Sequence, residues 1–174
     1  MKKLLAAMFV ALLMVGCGGD GKSGSDSSES NQSSAETIDL DDKETLDGII
    51  AEAIDWGKLQ EKGEEGDQLY YAPNQQIPYT GWVKVMWGNE QVRLLAQYED
   101  GKGDGLFTSW HENGQKDSEG NYKDGKLMTV VAWKPNGKKC PATKLIDGNG
   151  VVLWYKKDGT EELRQTYKDS IKVD

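Results

Sequence analysis

The sequence predicts a mostly β domain: an antiparallel up-and-down meander of about four β-hairpin repeats, preceded by one short amphipathic α-helix and a disordered N-terminal tether. Three observations carry this reading. Of 15 aromatic residues, 13 lie between Tyr70 and Tyr167, interleaved there with Gly, Asn and Asp, so the apolar payload is late and regular. Two landmark series run through that stretch: Asn89, Asn113, Asn136 and Asp158, and Asp100, Asp124, Asp147 and Asp169. Both have separations of 24, 23 and 22 residues, a shared shrinking period that marks an internal repeat. Most landmarks are followed by Gly, as tight turns between strands require.

The N-terminus reads as an export signal. Met1-Lys2-Lys3 is basic, and residues 4–15 form a 12-residue apolar run, too short to stay in a bilayer as a spanning helix. Met14-Val15-Gly16-Cys17 closes the run and resembles the lipobox of bacterial lipoproteins. In that family the Cys is acylated and becomes the mature N-terminus. The resemblance implies a signal peptide over 1–16, lipidation of Cys17 and a membrane anchor of acyl chains, palmitate among them. No other cofactor is expected. Residues 17–38 are dominated by Gly, Ser, Asp, Glu, Asn and Gln, which cannot bury enough apolar surface to offset the entropy of ordering, and predict a tether. Gly18 follows Cys17. In the resembled family an Asp there often signals inner-membrane retention, so its absence favours the outer membrane of the cell envelope.

Charge and cysteine usage narrow the partners. The chain carries a net charge of −8, and loss of Lys2 and Lys3 with the signal takes −8 to −10. Such acidity argues against nucleic acid and against anionic lipid head groups as partners. Of the two Cys, Cys17 is assigned to the lipid, which leaves Cys140 without an intramolecular disulfide partner. Without signal and tether, roughly 135 residues remain, enough for one small domain.

Residues 39–68 hold the helix and an acidic loop. Leu46, Ile49, Ile50, Ala53 and Ile54 recur at helical spacing, after Asp41-Asp42 and before Gly57. The polar face is acidic, unlike that of interfacial membrane helices, so this stripe is expected to pack on the first strands. Glu61–Asp67 is expected to be loop.

Residues 69–174 are the repeat domain. Asn113-Gly114, Asn136-Gly137 and Asp158-Gly159 predict two-residue type I′ turns, in which both central residues have positive φ. Asn89-Glu90 breaks that pattern, since Glu tolerates positive φ poorly, and is expected to form a longer turn or another type. Asp100-Gly101, Asp124-Gly125 and Asp147-Gly148 are read as the turns between successive hairpins, about eight strands in all. Met86, Trp110, Trp133 and Tyr155 each stand three residues before the first series. Tyr98, Tyr122 and Tyr167 stand two before the second, with Leu145 as the exception. Tyr79-Thr80-Gly81 extends the series as a degenerate repeat.

These stretches resemble the bacterial variant of MORN repeats (membrane occupation and recognition nexus). The matching residues are Gly81-Trp82, Tyr98-Glu99-Asp100-Gly101-Lys102, Gly105-Leu106, Trp110-His111-Glu112-Asn113-Gly114 and Tyr122-Lys123-Asp124-Gly125-Lys126. Residues 128–169 match more loosely, with Met128-Thr129 where Gly-Leu is expected. The resemblance implies an elongated single-layer meander serving as a scaffold. Some relatives carry the label of toxin–antitoxin system antitoxin, a role that normally meets its toxin in the cytoplasm.

Candidate chemistry is sparse. His111 is the single His and has no nearby nucleophile in sequence, so no catalytic residue is assigned. Cys140 is expected to be a small buried hydrophobe. No His pair, Cys pair or EF-hand loop points to metal. Trp82, Trp110, Trp133 and Tyr155 form an aromatic ladder, read either as repeat core or as a surface for stacking sugar or peptide. The resulting expectation is a non-enzymatic interaction scaffold for another envelope protein. The alternatives are an envelope ligand-binding protein and an antitoxin-like repeat protein. Cys17→Ser is predicted to abolish acyl labelling and to move the protein from membrane to soluble fractions. A Cys17→Ser chain that fractionates like the parent would refute the anchor.

Overall fold

The computed structural model describes residues 38–64 and 66–173. The expected signal peptide, the expected lipidation site Cys17 and the expected tether through residue 37 lie outside the described residues. Among the described residues, one helix, α1 (Lys43–Glu52), precedes the strands. β1 (Ile54–Asp55), a 3-10 turn at Trp56–Lys58, β2 (Gln60–Lys62) and β3 (Leu69–Tyr71) follow it. The longer strands are β4 (Gly81–Met86), β5 (Val92–Glu99), β6 (Lys102–Trp110), β7 (Lys116–Lys123) and β8 (Lys126–Ala132). They continue through β9 (Lys144–Ile146), β10 (Asn149–Tyr155), β11 (Glu161–Lys168) and β12 (Ile171–Lys172). The protein is mostly β, and its main sheet of ten strands is a long antiparallel meander. It runs β1, then β4 to β12 in chain order, with β1 the one parallel neighbour. No helix among the described residues is long and apolar enough to cross a membrane.

The Asp42 carboxylate caps α1 by accepting the Thr45 N–H at 2.8 Å. Leu46, Ile49 and Ile50 pack with Leu40 and Ala53 against Trp82, Leu95 and Trp110, as the apolar stripe predicts. The helix ends earlier than the stripe suggests. Ala53 is extended, at φ −62° and ψ 137°, and Ile54 leaves the helix to pair with Val83 in β1–β4. The last turn of α1 contains no basic residue. Lys84 of β4 serves instead, its Nζ donating to the Ile50 carbonyl at 2.7 Å, where cationic charge complements the helix dipole. The expected loop at Glu61–Asp67 is shorter than predicted, because Gln60–Lys62 pairs with Leu69–Tyr71 in a separate two-stranded sheet.

Turn chemistry assigns the two landmark series differently from the sequence-based expectation. At the Asn-Gly sites the N–H of His111, Lys134 or Lys156 donates to the carbonyl four residues on, at 2.8 to 2.9 Å. The Gly N–H donates back to the same residue. Only Gly114, Gly137 and Gly159 have positive φ; Asn113, Asn136 and Asp158 do not. These are therefore three-residue loops with one left-handed residue, and the type I′ assignment is corrected. Asn113, Asn136 and Asp158 are favoured for another reason: each side chain accepts the N–H two residues on, at 3.1, 3.1 and 2.9 Å. The first turn has the same form. Trp87 N–H donates to Gln91, Asn89 accepts from Gln91 N–H, and Glu90 occupies the left-handed position at φ 66°. The longer turn expected at Asn89-Glu90 is thus what forms, with one positive φ a smaller demand than two, and the three turns expected to be type I′ share its form. The type I′ turns are at the other rim. Asp100-Gly101, Asp124-Gly125, Asp147-Gly148 and Asp169-Ser170 all have two consecutive positive φ values, and the flanking residues pair across each two-residue loop.

The core lies mainly on the sheet face opposite Trp82 and Leu95. Ala96, Phe107, Val130, Leu145 and Val152 form one buried row across β5, β6, β8, β9 and β10. Tyr98, Tyr122 and Tyr167 pack against it, which explains the Tyr series and the acceptance of Leu145. Phe107 lies opposite Gly120. A Cβ at Gly120 would stand 1.8 Å from the Thr129 carbonyl oxygen and 2.9 Å from the Phe107 ring, so close strand approach requires glycine.

Glu90 supplies a stability prediction. A non-glycine residue in the left-handed region costs about 1 kcal/mol. Glu90→Gly is therefore expected to stabilise the fold by several tenths of a kcal/mol, after the added entropy of the unfolded chain is counted. Gly114→Glu is expected to destabilise it by about 1 kcal/mol. Urea unfolding of the two variants checks both signs.

Candidate ligand groove

Strand alternation gives the sheet two different faces. One is covered by α1 near Trp82 and Leu95. The other carries the Tyr series and opens into a groove of about 950 Å³, lined by residues from β3 to β11. Toward the Asp-Gly rim the groove is aromatic. Trp56, Tyr70 and Tyr98 cluster with ring centroids 4.7, 5.9 and 6.0 Å apart, in tilted and edge-on orientations. Its centre is apolar, with Phe107 and Tyr122 rings 5.1 Å apart.

Toward the Asn-Gly rim the groove becomes polar. Ser109 donates to Asp117 Oδ2 at 2.9 Å, while its oxygen receives the Ser118 N–H at 3.1 Å and shares a hydrogen with the Ser118 hydroxyl at 2.6 Å. His111 Nε2 lies 3.1 Å from the Trp133 carbonyl and 3.4 Å from Asp117 Oδ1. A carbonyl can only accept, so Nε2 carries the proton. Ser, Asp and His thus meet in the wrong order for nucleophilic catalysis. Asp117 stands between the other two, so the imidazole does not face the Ser109 hydroxyl. His111 is instead an inter-turn strut, equivalent to Trp87, whose indole N–H donates to the Trp110 carbonyl at 3.0 Å. Arg93 stacks on the Trp87 ring 4.6 Å from its centroid.

The predicted site residues take separate places. Cys17 lies outside the described residues. Asn113, Gly114, Asn136, Gly137, Asp158 and Gly159 form one rim of the sheet. Trp82 and Trp110 belong to the cluster under α1. Trp133 is half-buried, with the Lys116 and Lys139 ammonium groups 5.4 and 5.5 Å from its ring centroid. Tyr155 lines the groove and hydrogen-bonds Cys140 at 2.6 Å. The thiol is only 2% exposed. Burial pushes the Cys140 thiol up, but its bonds with Tyr155 and Thr143 bring it below its ordinary value. Sequence reasoning missed Trp56 and Tyr70 as groove residues. They precede the long strands and carry no periodic signal, and only the β1–β4 and β2–β3 pairings bring them there. Among the described residues, no three His, Cys, Asp or Glu side chains converge as a metal site would need. No family model, curated protein or solved structure matches the chain.

The phenols of the groove make its packing titratable. Burial first, and then the bond with Cys140, pushes Tyr155 up to about 12. Tyr98 and Tyr122 are also raised, first by burial and then by neighbouring phenols. Unfolded phenols ionise near pH ~10. Because the folded values are raised, their stabilisation is complete below that pH and is lost as the pH climbs through the folded values. Alkaline titration is expected to show tyrosinate absorbance rising together with loss of near-ultraviolet circular dichroism. Tyr155→Phe should shift that transition upward in pH.

Proposed function

We propose that this chain is a membrane-anchored, extracytoplasmic lipoprotein whose MORN-like sheet is a non-enzymatic scaffold for another envelope protein. The supporting observation is the aromatic groove on the face opposite α1, about 950 Å³ in volume. Its apolar centre and polar end suit an extended protein segment, with Trp56, 38% exposed, as an anchor point. The order of Ser109, Asp117 and His111 favours binding over catalysis. The lipobox-like Met14-Val15-Gly16-Cys17 supports attachment through lipidated Cys17, and Gly18 favours the outer membrane over the inner. The same groove supports a second reading, an envelope sugar or peptide ligand stacked on its aromatic rings.

Capture of partners by the full chain from detergent-solubilised envelope, read by mass spectrometry, tests the scaffold reading. Trp56→Ala is expected to lower recovery of the captured partner at least several-fold. Trp133→Ala, away from the aromatic end, should leave it unchanged. Recovery that is equal for both variants overturns the assignment of the groove. Glycan fragments that quench tryptophan fluorescence in the parent but not in Trp56→Ala would favour the second reading.

A further inference from the structure

Four aromatic rings of this protein carry a cation of its own. Lys62 lies over Tyr71 at 4.3 Å, Arg93 over Trp87 at 4.6 Å and Lys134 over Tyr155 at 5.0 Å. Lys116 and Lys139 lie over Trp133 at 5.4 and 5.5 Å. Among the described residues, no Lys or Arg lies in this way over Trp56, Tyr70 or Tyr98, the aromatic end of the groove.

These three rings meet at interplanar angles of 45°, 59° and 89°, so no two of them stack face to face. Tyr70 and Tyr98 are nearly perpendicular, with centroids 6.0 Å apart. Two such rings can both face a point about 4 Å from each centroid, within the ~6 Å reach of a cation–π contact. Trp56 is tilted against both and is 38% exposed, so this corner is open to solvent. The backbone sets the walls in advance. Tyr70 N–H donates to the Gly101 carbonyl at 2.9 Å, and Tyr79 N–H to the Tyr70 carbonyl at 2.8 Å.

The charge around the corner also favours a cation. Residues 38–67 hold eleven Asp and Glu against three Lys, a net −8 that equals the charge of the whole chain. One of these acids, Glu61, accepts the Tyr70 hydroxyl at 3.2 Å, which polarises the phenol and enriches its ring face.

We infer that Trp56, Tyr70 and Tyr98 form a three-walled site for the quaternary ammonium group of a small molecule of the choline class. The walls offer ring faces rather than hydrogen-bond acceptors. A trimethylated nitrogen needs no acceptor, whereas a primary ammonium would leave its N–H donors unpaired there. The inference rests on the groove as a binding face, but it does not require a protein partner.

The test uses the full chain in a non-ionic maltoside detergent, with choline as the probe and the line width of its N-methyl protons as the readout. The parent protein is expected to broaden choline. It should broaden 3,3-dimethylbutanol, the neutral carbon isostere, and ethanolamine, the primary ammonium, several-fold less. Trp56→Leu keeps apolar bulk but removes the ring, and should lower choline broadening several-fold. Trp56→Phe should retain most of it, which a folding defect at this position would not allow. Trp133→Leu should leave it unchanged. If the parent broadens 3,3-dimethylbutanol or ethanolamine as strongly as choline, the inference is overturned, as it is by undiminished broadening in Trp56→Leu. Absence of choline broadening, with Trp56→Ala still lowering partner recovery, overturns the cation site and leaves the scaffold reading standing. Selective choline broadening with equal partner recovery supports the cation site and removes the scaffold reading of the groove.

Discussion

The structure depends on one constraint: each hairpin from β4 to β12 must turn back through a left-handed backbone, alternately once and twice. At the Asp-Gly rim two consecutive residues take positive φ, and at the Asn-Gly rim one does. A single-layer sheet cannot rely on a second sheet for register, so its rims have to set it. They do so by bonding each turn to the next. At one rim Gly101 N–H donates to Tyr79, Gly125 to Gly103 and Ser170 to Gly148, at 2.8 to 2.9 Å. Thr80, Asp104 and Asn149 then accept the N–H of Asp100, Asp124 and Asp169, each at 3.0 Å. Lys123 holds the Asp104 carboxyl below the usual carboxylate range, together with the Asp124 N–H, which keeps it an acceptor. At the other rim Trp87, His111 and Asn113 reach carbonyls of the next turn.

The third unit shows what happens when a piece of this ladder is missing. Gly81, Gly105 and Gly150 take positive φ at equivalent places, and Met128 does not. Leu127 also offers no acceptor to the Asp147 N–H where Thr80, Asp104 and Asn149 do. Gly148 N–H accordingly shifts to the Met128 carbonyl, and β9 is only three residues long. The segment that replaces the lost strand length brings Cys140 and Thr143 inward, against Leu153 and Tyr155. Cys140 is thus explained by local repacking, and its low exposure fits a structural thiol.

Much of the fold was legible in the sequence because turn chemistry is local. Asp-Gly and Asn-Gly at a shared, slightly shrinking period fix where the chain reverses, and alternation between them fixes which side chains share a face. The helix was legible by its stripe, although its end was not. Ile54 fits the helical period and the strand equally well, and pairing with Val83 decided between them. Turn type was misassigned for a similar reason. Asn-Gly suits both a two-residue loop and a three-residue loop with one left-handed residue, and only the bonds across the loop distinguish them.

The sequence by itself therefore determined a β meander with two series of turns, one amphipathic helix and a periodic series of tyrosines. Tertiary structure alone decided which face stays open, because that follows from where α1 docks, and α1 is held by Lys84 and Trp82 from distant strands. It also decided that Trp56 joins Tyr70 and Tyr98, and that Asp117 separates Ser109 from His111. Those contacts join residues with no shared period, so their geometry exists only once the strands have paired.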